Sequence, residues 1–573
     1  MNFKPFALAL PLLFAACAQQ PVKPQPAKPV EAAKSAPATP KLPDIALSED
    51  LLYEFLLGEI AGQRGNLAIA DEAYVDMAKK TLDPRIASRA LDIALFSGNE
   101  QDALEMAKLL EKLDPGSEKA KQALSPLLAH SGNLAEARPG IATLLAQQSG
   151  DRLGRALLEL NNLFANQQDK QAVLVAVQDL TKPYLARPEA HHAIAFAAWQ
   201  AGKLDLAIEE ADKAESMHPG WELPALLKLQ VLEQQDKDKV QPFAEGFLGK
   251  YPKSQGIRLA YAKFLVSEKR YTEARKEFVE LKRTFPENRE VSFAVGLLSL
   301  QLGDTDTAIS EFKGLLDKNY PNSDLVRYYI GQSFERKHEP TEAEKWYQSI
   351  GPGSQYLHAK TRIALIIQKR KGLAAARNYL HHLPTHEEAE KIFLIEAEAQ
   401  MLHDAKQYRT AFSVLSNGLA KFPDSSNLLY DQAMAAEKIG RVREAEQSLK
   451  KLIRLQPDFA QAYNALGYTL VVHSTRYKEA QRLLEKALAL SPEDPFILDS
   501  MGWLQYKMGH KSSSLSYLKR AYSGQHDPEI AAHLVEVLWM TGNREDARRL
   551  LDSSLKANPG NEALKKSMKK FGH

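Results

Sequence analysis

A chain of 573 residues, 44% hydrophobic and 25% charged, has the make-up of a globular protein. Its 74 basic and 72 acidic residues leave a net charge of +2, which excludes the broad basic field of a nucleic-acid-binding surface. The single cysteine, Cys17, excludes internal disulfides and multi-cysteine metal sites.

The N-terminus reads as a targeting segment. Lys4 supplies a positive start, and Phe6 to Phe14 is apolar but far shorter than the roughly 20 residues that span a bilayer. Phe14-Ala15-Ala16-Cys17 then places small residues before the cysteine. This resembles a bacterial lipoprotein lipobox, with Phe14 departing from the usual leucine. The resemblance implies that residues 1–16 are a signal peptide, that Cys17 carries the lipid (diacylglycerol plus a palmitate-type acyl chain), and that Ala18 directs the anchor to the outer membrane. Residues 17–47 are rich in proline and alanine; Pro21, Pro24, Pro26, Pro29, Pro37, Pro40 and Pro43 deny them regular hydrogen-bonded structure. They are expected to form a disordered, extended linker at ~3 Å per residue.

From residue 51 onward one pattern recurs. An alanine in an amphipathic helix after a turn occurs at Ala70, Ala103, Ala137, Ala172, Ala207, Ala274, Ala308, Ala343, Ala376, Ala411, Ala445, Ala480 and Ala547, with Val240 and Ser514 filling the two gaps. The intervals are 33 to 35 residues, giving fifteen repeats. Twelve residues before this anchor stand small residues such as Gly58, Gly296, Gly331 and Gly502; five before it stand turn glycines such as Gly98 and Gly303; twelve after it stands a proline such as Pro286 or Pro457. Four after it stand wedges such as Tyr74, Phe312 and Tyr347.

This register resembles the tetratricopeptide-repeat family over roughly residues 48 to 566. The resemblance implies an all-α solenoid: a right-handed superhelix of about fifteen helical hairpins whose first helices line a concave side. Gly351-Pro352-Gly353 breaks the alternation and Pro384 interrupts His381 to His386, so two arrays are expected, 48–350 and 351–566, with a bend near 350–390 and a basic tail at 567–573. The tail lysines Lys565, Lys566, Lys569 and Lys570 read as a solvated, frayed helix end.

Concave positions follow from the register at fifteen, eleven and eight residues before the anchor. They select His192, Phe196 and Trp199 in one hairpin, and Asn464, Asp499, Trp503, Tyr506, Glu536 and Trp539 near the C-terminus. Trp and Tyr are common binding hot spots; packing between hairpins is the alternative fate of the same rings. Catalytic or cofactor chemistry finds no carrier. His191-His192 point about 100° apart on a helix, so they do not share a metal. Pro384 breaks the helix between His381, His382 and His386, and there is no Walker loop, GxGxxG, GxSxG or HExxH motif. No catalytic residue, metal or cofactor is expected.

The runs Asn464-Ala465-Leu466-Gly467-Tyr468 and Leu498-Asp499-Ser500-Met501-Gly502-Trp503 resemble long proteobacterial repeat lipoproteins. Some of these partner periplasmic carboxy-terminal processing proteases and help them degrade cell-wall hydrolases. The resemblance implies a non-catalytic scaffold that binds proteins at the periplasmic face of the outer membrane. An assembly factor for a secretin, pilus or polysaccharide exporter is the alternative.

Overall fold

The computed structural model describes residues 42–571. Cys17, the expected signal peptide at 1–16 and residues 17–41 of the expected linker lie outside the described residues. Every regular element among the described residues is helical. The chain divides into two compact units, Met1–Ala260 and Tyr261–His573. In the first, hairpins pair α1 (Glu49–Gln63) with α2 (Leu67–Thr81), α3 (Pro84–Ser97) with α4 (Glu100–Leu113), α5 (Glu118–His130) with α6 (Leu134–Ala146), α7 (Gly150–Leu163) with α8 (Lys170–Thr181), α9 (Pro188–Gln200) with α10 (Leu204–Met217) and α11 (Glu222–Gln235) with α12 (Val240–Lys250). The boundary falls within α13 (Gln255–Ser267), which α14 (Tyr271–Thr284) follows in the chain. The second unit continues with α15 (Arg289–Gln301) and α16 (Thr305–Asp317), α17 (Ser323–Arg336) and α18 (Pro340–Gln348), α19 (Tyr356–Lys371) and α20 (Leu373–His381), α21 (Glu388–Asp404) and α22 (Tyr408–Lys421), and α23 (Ser426–Lys438) and α24 (Val442–Leu455). It ends with α25 (Ala460–His473) and α26 (Tyr477–Leu490), α27 (Pro495–Lys507) and α28 (Lys511–Gly524), α29 (Pro528–Met540) and α30 (Arg544–Ala557), and a last helix, α31 (Glu562–Phe571).

The anchor is buried because it is where the second helix of a hairpin crosses the first. Ala70, Ala103, Ala207, Ala308, Ala343 and Ala480 are wholly inaccessible. Ala172 is the exception: it stays half-buried, and Val173, one residue later, is 1% exposed. Val173 is the fourth residue of α8, as Ala70 is of α2 and Ala103 of α4, so the anchor of this hairpin is Val173. The small residue before the anchor and the wedge after it meet face to face. A Cβ on Gly296 would lie 2.7 Å from Phe312, one on Gly467 2.7 Å from Leu484, and one on Gly331 would collide with Tyr347. The prolines lie two residues beyond the second helices: Pro286 after Thr284, Pro457 after Leu455.

The turn five residues before the anchor is left-handed. Gly98 has φ 74° and Gly303 φ 82°. Lys269 (φ 59°), His338 (φ 60°) and Lys406 (φ 57°) adopt the same conformation with a side chain. That conformation costs an L-residue roughly 1 kcal/mol. Lys406→Gly is therefore expected to raise unfolding free energy by roughly 0.5 kcal/mol once the extra entropy of the unfolded glycine is subtracted. Urea unfolding midpoints of the variant and the parent check this.

The irregular stretches shorten helices without breaking the alternation of hairpins. Gly351-Pro352-Gly353 follows a nine-residue α18, and Pro384 follows a nine-residue α20. At the C-terminus helix continues beyond residue 566. Phe571 is 4% exposed, and its ring lies 5.3 Å from that of Trp539, so α31 is packed rather than frayed.

Candidate partner-binding face

In the second unit the first helices of successive hairpins lie side by side, and α27 and α29 carry most of the chemistry. Both begin with the same local code. Asp494 and Asp527 accept backbone N–H groups of the first turn, at 2.9 Å from Phe496 and 2.7 Å from Glu529, and each is followed by a proline at the first helical position. With the starts fixed, Asp499, Trp503 and Tyr506 fall on one face of α27, four and three residues apart. His533, Glu536 and Trp539 do the same on α29.

The two rows interlock. The Asp499 carboxylate lies 2.9 Å from His533 Nδ1, and the imidazole stacks on Trp503 with centroids 4.2 Å apart. Tyr506 packs on Trp503 at 5.2 Å, and its hydroxyl is 3.5 Å from Glu536 Oε1. Lys570 of α31 donates to the same oxygen at 3.0 Å. Trp503 is 9% and Asp499 7% exposed, so they form the floor; Tyr506, Glu536 and Trp539 are half-buried and form the walls. Tyr468 of α25 approaches the His533 ring to 6.2 Å, and Asn464, one turn earlier, has a buried Oδ1 without a hydrogen-bond partner.

Burial disfavours the charged form of His533, but Asp499, with Glu529 and Glu536 behind it, outweighs that and holds the imidazole above its ordinary pKa. The folded state thus binds the proton more tightly than the unfolded chain. The pair's stability contribution is complete below the ordinary histidine value of about 6.5 and is lost as pH rises through the elevated one. An NMR titration of the His533 ring is expected to show a midpoint above 6.5, and Asp499→Asn to lower it.

Two further acids lie on α21 and α23. Burial pushes the Asp431 carboxyl up to about 6, with Glu396 adding to the shift and His403 opposing it. Burial also raises Glu396, against a hydrogen bond from Asn427, and Glu396 Oε1 is enclosed without a partner. No ion pair reaches either acid among the described residues. Since folded Asp431 holds its proton to higher pH than the unfolded chain, stability falls as pH rises from about 4 to 6. Asp431→Asn is expected to stabilise the protein by roughly 1 kcal/mol at pH 7.5, allowing for solvent screening, and by nothing at pH 4. Thermal melts at the two pH values check this.

The N-terminal candidates form a separate aromatic group within the first unit. His191 points inward, with Nδ1 2.6 Å from Glu210 and Nε2 2.9 Å from the Leu185 carbonyl. Its neighbour His192 packs on Trp221 at 5.4 Å, and burial depresses its pKa to about 4, so the ring is neutral. Phe196 and Trp199 pack edge to face at 5.4 Å. His381, His382 and His386 do not converge: His381 meets Glu398, His382 the Asn378 carbonyl, and the His386 amide meets Glu390.

The register used in the sequence, at fifteen, eleven and eight residues before the anchor, missed Asp431 and His533. Both lie fourteen residues before their anchors, on the flank of a helical face wider than three positions. Tyr468 stands twelve residues before Ala480 because of the extra residue in the turn after α25; Asn464, sixteen before it, carries the same shift, so Tyr468 occupies the eleven-before position of this hairpin and was overlooked there.

Tetratricopeptide-repeat family models match residues 257–324, 293–356, 402–467 and 460–494. The TPR repeat-containing protein PA4667 of Pseudomonas aeruginosa is 32% identical over 495 residues, spanning 86% of this chain and 83% of that protein. The chain belongs to the tetratricopeptide-repeat family. Other relatives match more narrowly: small glutamine-rich tetratricopeptide repeat-containing protein 2 of Mycosarcoma maydis is 26% identical over 131 residues, 23% of this chain and 37% of that one. Among solved structures, the Thermus thermophilus TPR protein TTC0263 superposes with a TM-score of 0.29 at 20% identity, over 31% of this chain and 96% of that one. The APC/C hetero-tetramer Cut9–Hcn1 gives 0.31 at 13% identity, over 91% and 96%. Tetratricopeptide repeats are protein-interaction scaffolds, and this chain is one by family.

Proposed function

We propose that this tetratricopeptide-repeat chain is a non-catalytic adaptor, held at the periplasmic face of the outer membrane by a lipid on Cys17, that binds partner proteins on the first-helix face of α25, α27 and α29. The observation that carries the binding role is the packed set of Asp499, Trp503 and Tyr506 against His533 and Glu536. It joins large rings to fixed hydrogen-bonding groups, the make-up of an interface hot spot. The anchor rests on Phe14-Ala15-Ala16-Cys17. Among the described residues no helix is long and apolar enough to cross a membrane. The partner class, a carboxy-terminal processing protease with cell-wall hydrolases as its substrates, rests on the likeness of the 464–468 and 498–503 runs to the long repeat lipoproteins.

The test has two arms. Cys17→Ala is expected to move the protein from the membrane to the soluble fraction and to abolish acyl labelling; unchanged fractionation and labelling removes the anchor. Affinity capture from crosslinked cells is expected to recover a periplasmic protease with hydrolases. Recovery of secretin or exporter components instead replaces the adaptor with the assembly-factor reading.

A further inference from the structure

The acids and rings of this face are unevenly supplied with cations. At the C-terminal end the chain fills the positions itself. Lys507 Nζ sits 4.9 Å over the Trp503 ring, Arg544 and Arg548 each 5.5 Å over Trp539, and Lys570 on Glu536. Three features converge there: ring faces that attract positive charge, carboxylates beside them, and basic side chains from the chain seated on both. At the α21 and α23 end Glu398 is paired with Arg377 and His381, whereas Asp431 and Glu396 have no lysine or arginine partner among the described residues and His403 is the one basic side chain beside Asp431 in its cavity. Asp431 borders a cavity of about 180 Å³, together with Gln400, His403 and Met434. Glu396 stands close enough to Asp431 to raise its proton affinity, Glu396 Oε1 is enclosed without a partner, and neither acid has an ion pair among the described residues. Keeping two such groups charged in a half-buried setting is costly unless a positive partner arrives.

From this we infer that the face formed by α21, α23, α25 and α27 binds an extended peptide segment carrying two Lys or Arg side chains, one entering the cavity beside Asp431 and Glu396 and one displacing Lys507 from the ring of Trp503. The inference rests on the reading of this face as the partner-binding one and names the chemistry of what it binds. Successive first helices are about 10 Å apart, so α23 and α27 are separated by about 20 Å. An extended chain rises about 3.3 Å per residue, which places the two basic residues about six apart. Asn464 Oδ1 of α25, between the two ends, has no hydrogen-bond partner and is an acceptor for an amide of such a segment.

The probe is a fluorescein-labelled twelve-residue peptide of Gly, Ser and Tyr with two arginines six residues apart, titrated against the full-length protein by fluorescence polarisation. Control peptides carry glutamates at those positions, or arginines two residues apart. The arginine peptide with six-residue spacing is expected to bind best, to weaken at least tenfold between 50 and 300 mM salt as charge pairing requires, and to lose about tenfold in affinity in both Asp431→Asn and Glu396→Gln. These replacements are close to isosteric, and Asp431→Asn is expected to melt higher than the parent, so a loss of affinity there is not a loss of fold. Equal or tighter binding of the glutamate peptide, or affinity unaffected by both substitutions, overturns the inference. A photocrosslinker at residue 506 separates its failure from that of the adaptor reading: crosslinks to partner proteins whose captured segments lack Lys and Arg overturn the basic-segment inference and leave the face as the binding site. Crosslinks to residues 17–47 of the same chain, or to a second copy, overturn it as well.

Discussion

Gly296→Val is expected to destabilise the second compact unit by about 3 kcal/mol, because it forces a branched side chain into a helix crossing that has no room for a Cβ. The Cβ alone would stand 2.7, 2.9 and 3.0 Å from three atoms of the Phe312 ring. That ring has nowhere to go: it is inaccessible to solvent, stacked on Tyr329 at 5.6 Å and tilted against Phe293 at 5.8 Å. The valine must therefore push α15 and α16 apart, and each neighbouring hairpin loses contact in turn, since a repeat is stable only through its neighbours. Phe312→Ala alone is expected to cost about 4 kcal/mol through the cavity it opens. The two together are expected to cost clearly less than the sum, because the valine occupies part of that cavity. Urea unfolding of the single and double variants measures the coupling; strict additivity would mean that the glycine and the wedge do not face each other.

The second large effect is at Trp503. Trp503→Ala is expected to cost about 3 kcal/mol of stability and to weaken partner binding about a hundredfold. Both follow from one position. At 9% exposure the indole supports the fold, stacking on the imidazole of the Asp499–His533 pair, while Tyr506 packs on it at 5.2 Å and Lys507 Nζ lies 4.9 Å over its ring. Removing it opens that pair to water and should bring the His533 pKa down toward the ordinary value. Trp503→Phe separates the two roles: it retains much of the packing and less of the cation-binding ring face, so its melting temperature should recover more fully than its affinity.

The repeat was legible because its marks are dictated by sterics. A helix crossing needs a small residue, a left-handed turn favours glycine, and a proline cannot continue a helix. Where two small apolar residues adjoin, as in Ala172-Val173, sequence does not say which one is buried. The left-handed turn was legible at Gly98 and illegible at Lys269, His338 and Lys406, where the hairpin imposes the conformation on a residue that does not prefer it. The candidate face was legible in part. Asp499, Trp503, Tyr506 and Glu536 come together as one group, whereas Asn464 sits a hairpin away beside Tyr468, and His192, Phe196 and Trp199 belong to the first unit. The Asp499–His533 pair joins residues 34 apart in sequence. It depends on how far α29 is rotated against α27, which spacing alone does not encode. Trp503 also shows that floor and wall are one surface: the choice between core and groove for a tryptophan was not a choice between opposites.

The most direct test of the account places a photoreactive amino acid at residue 506 on the first-helix face of α27, and in a second variant at residue 519 on α28, whose Lys519 is exposed. After irradiation in cells, the account predicts discrete crosslinked partner proteins from 506 and none above background from 519. Crosslinks from 519 with none from 506, or equal yields of the same partners from both, would contradict it.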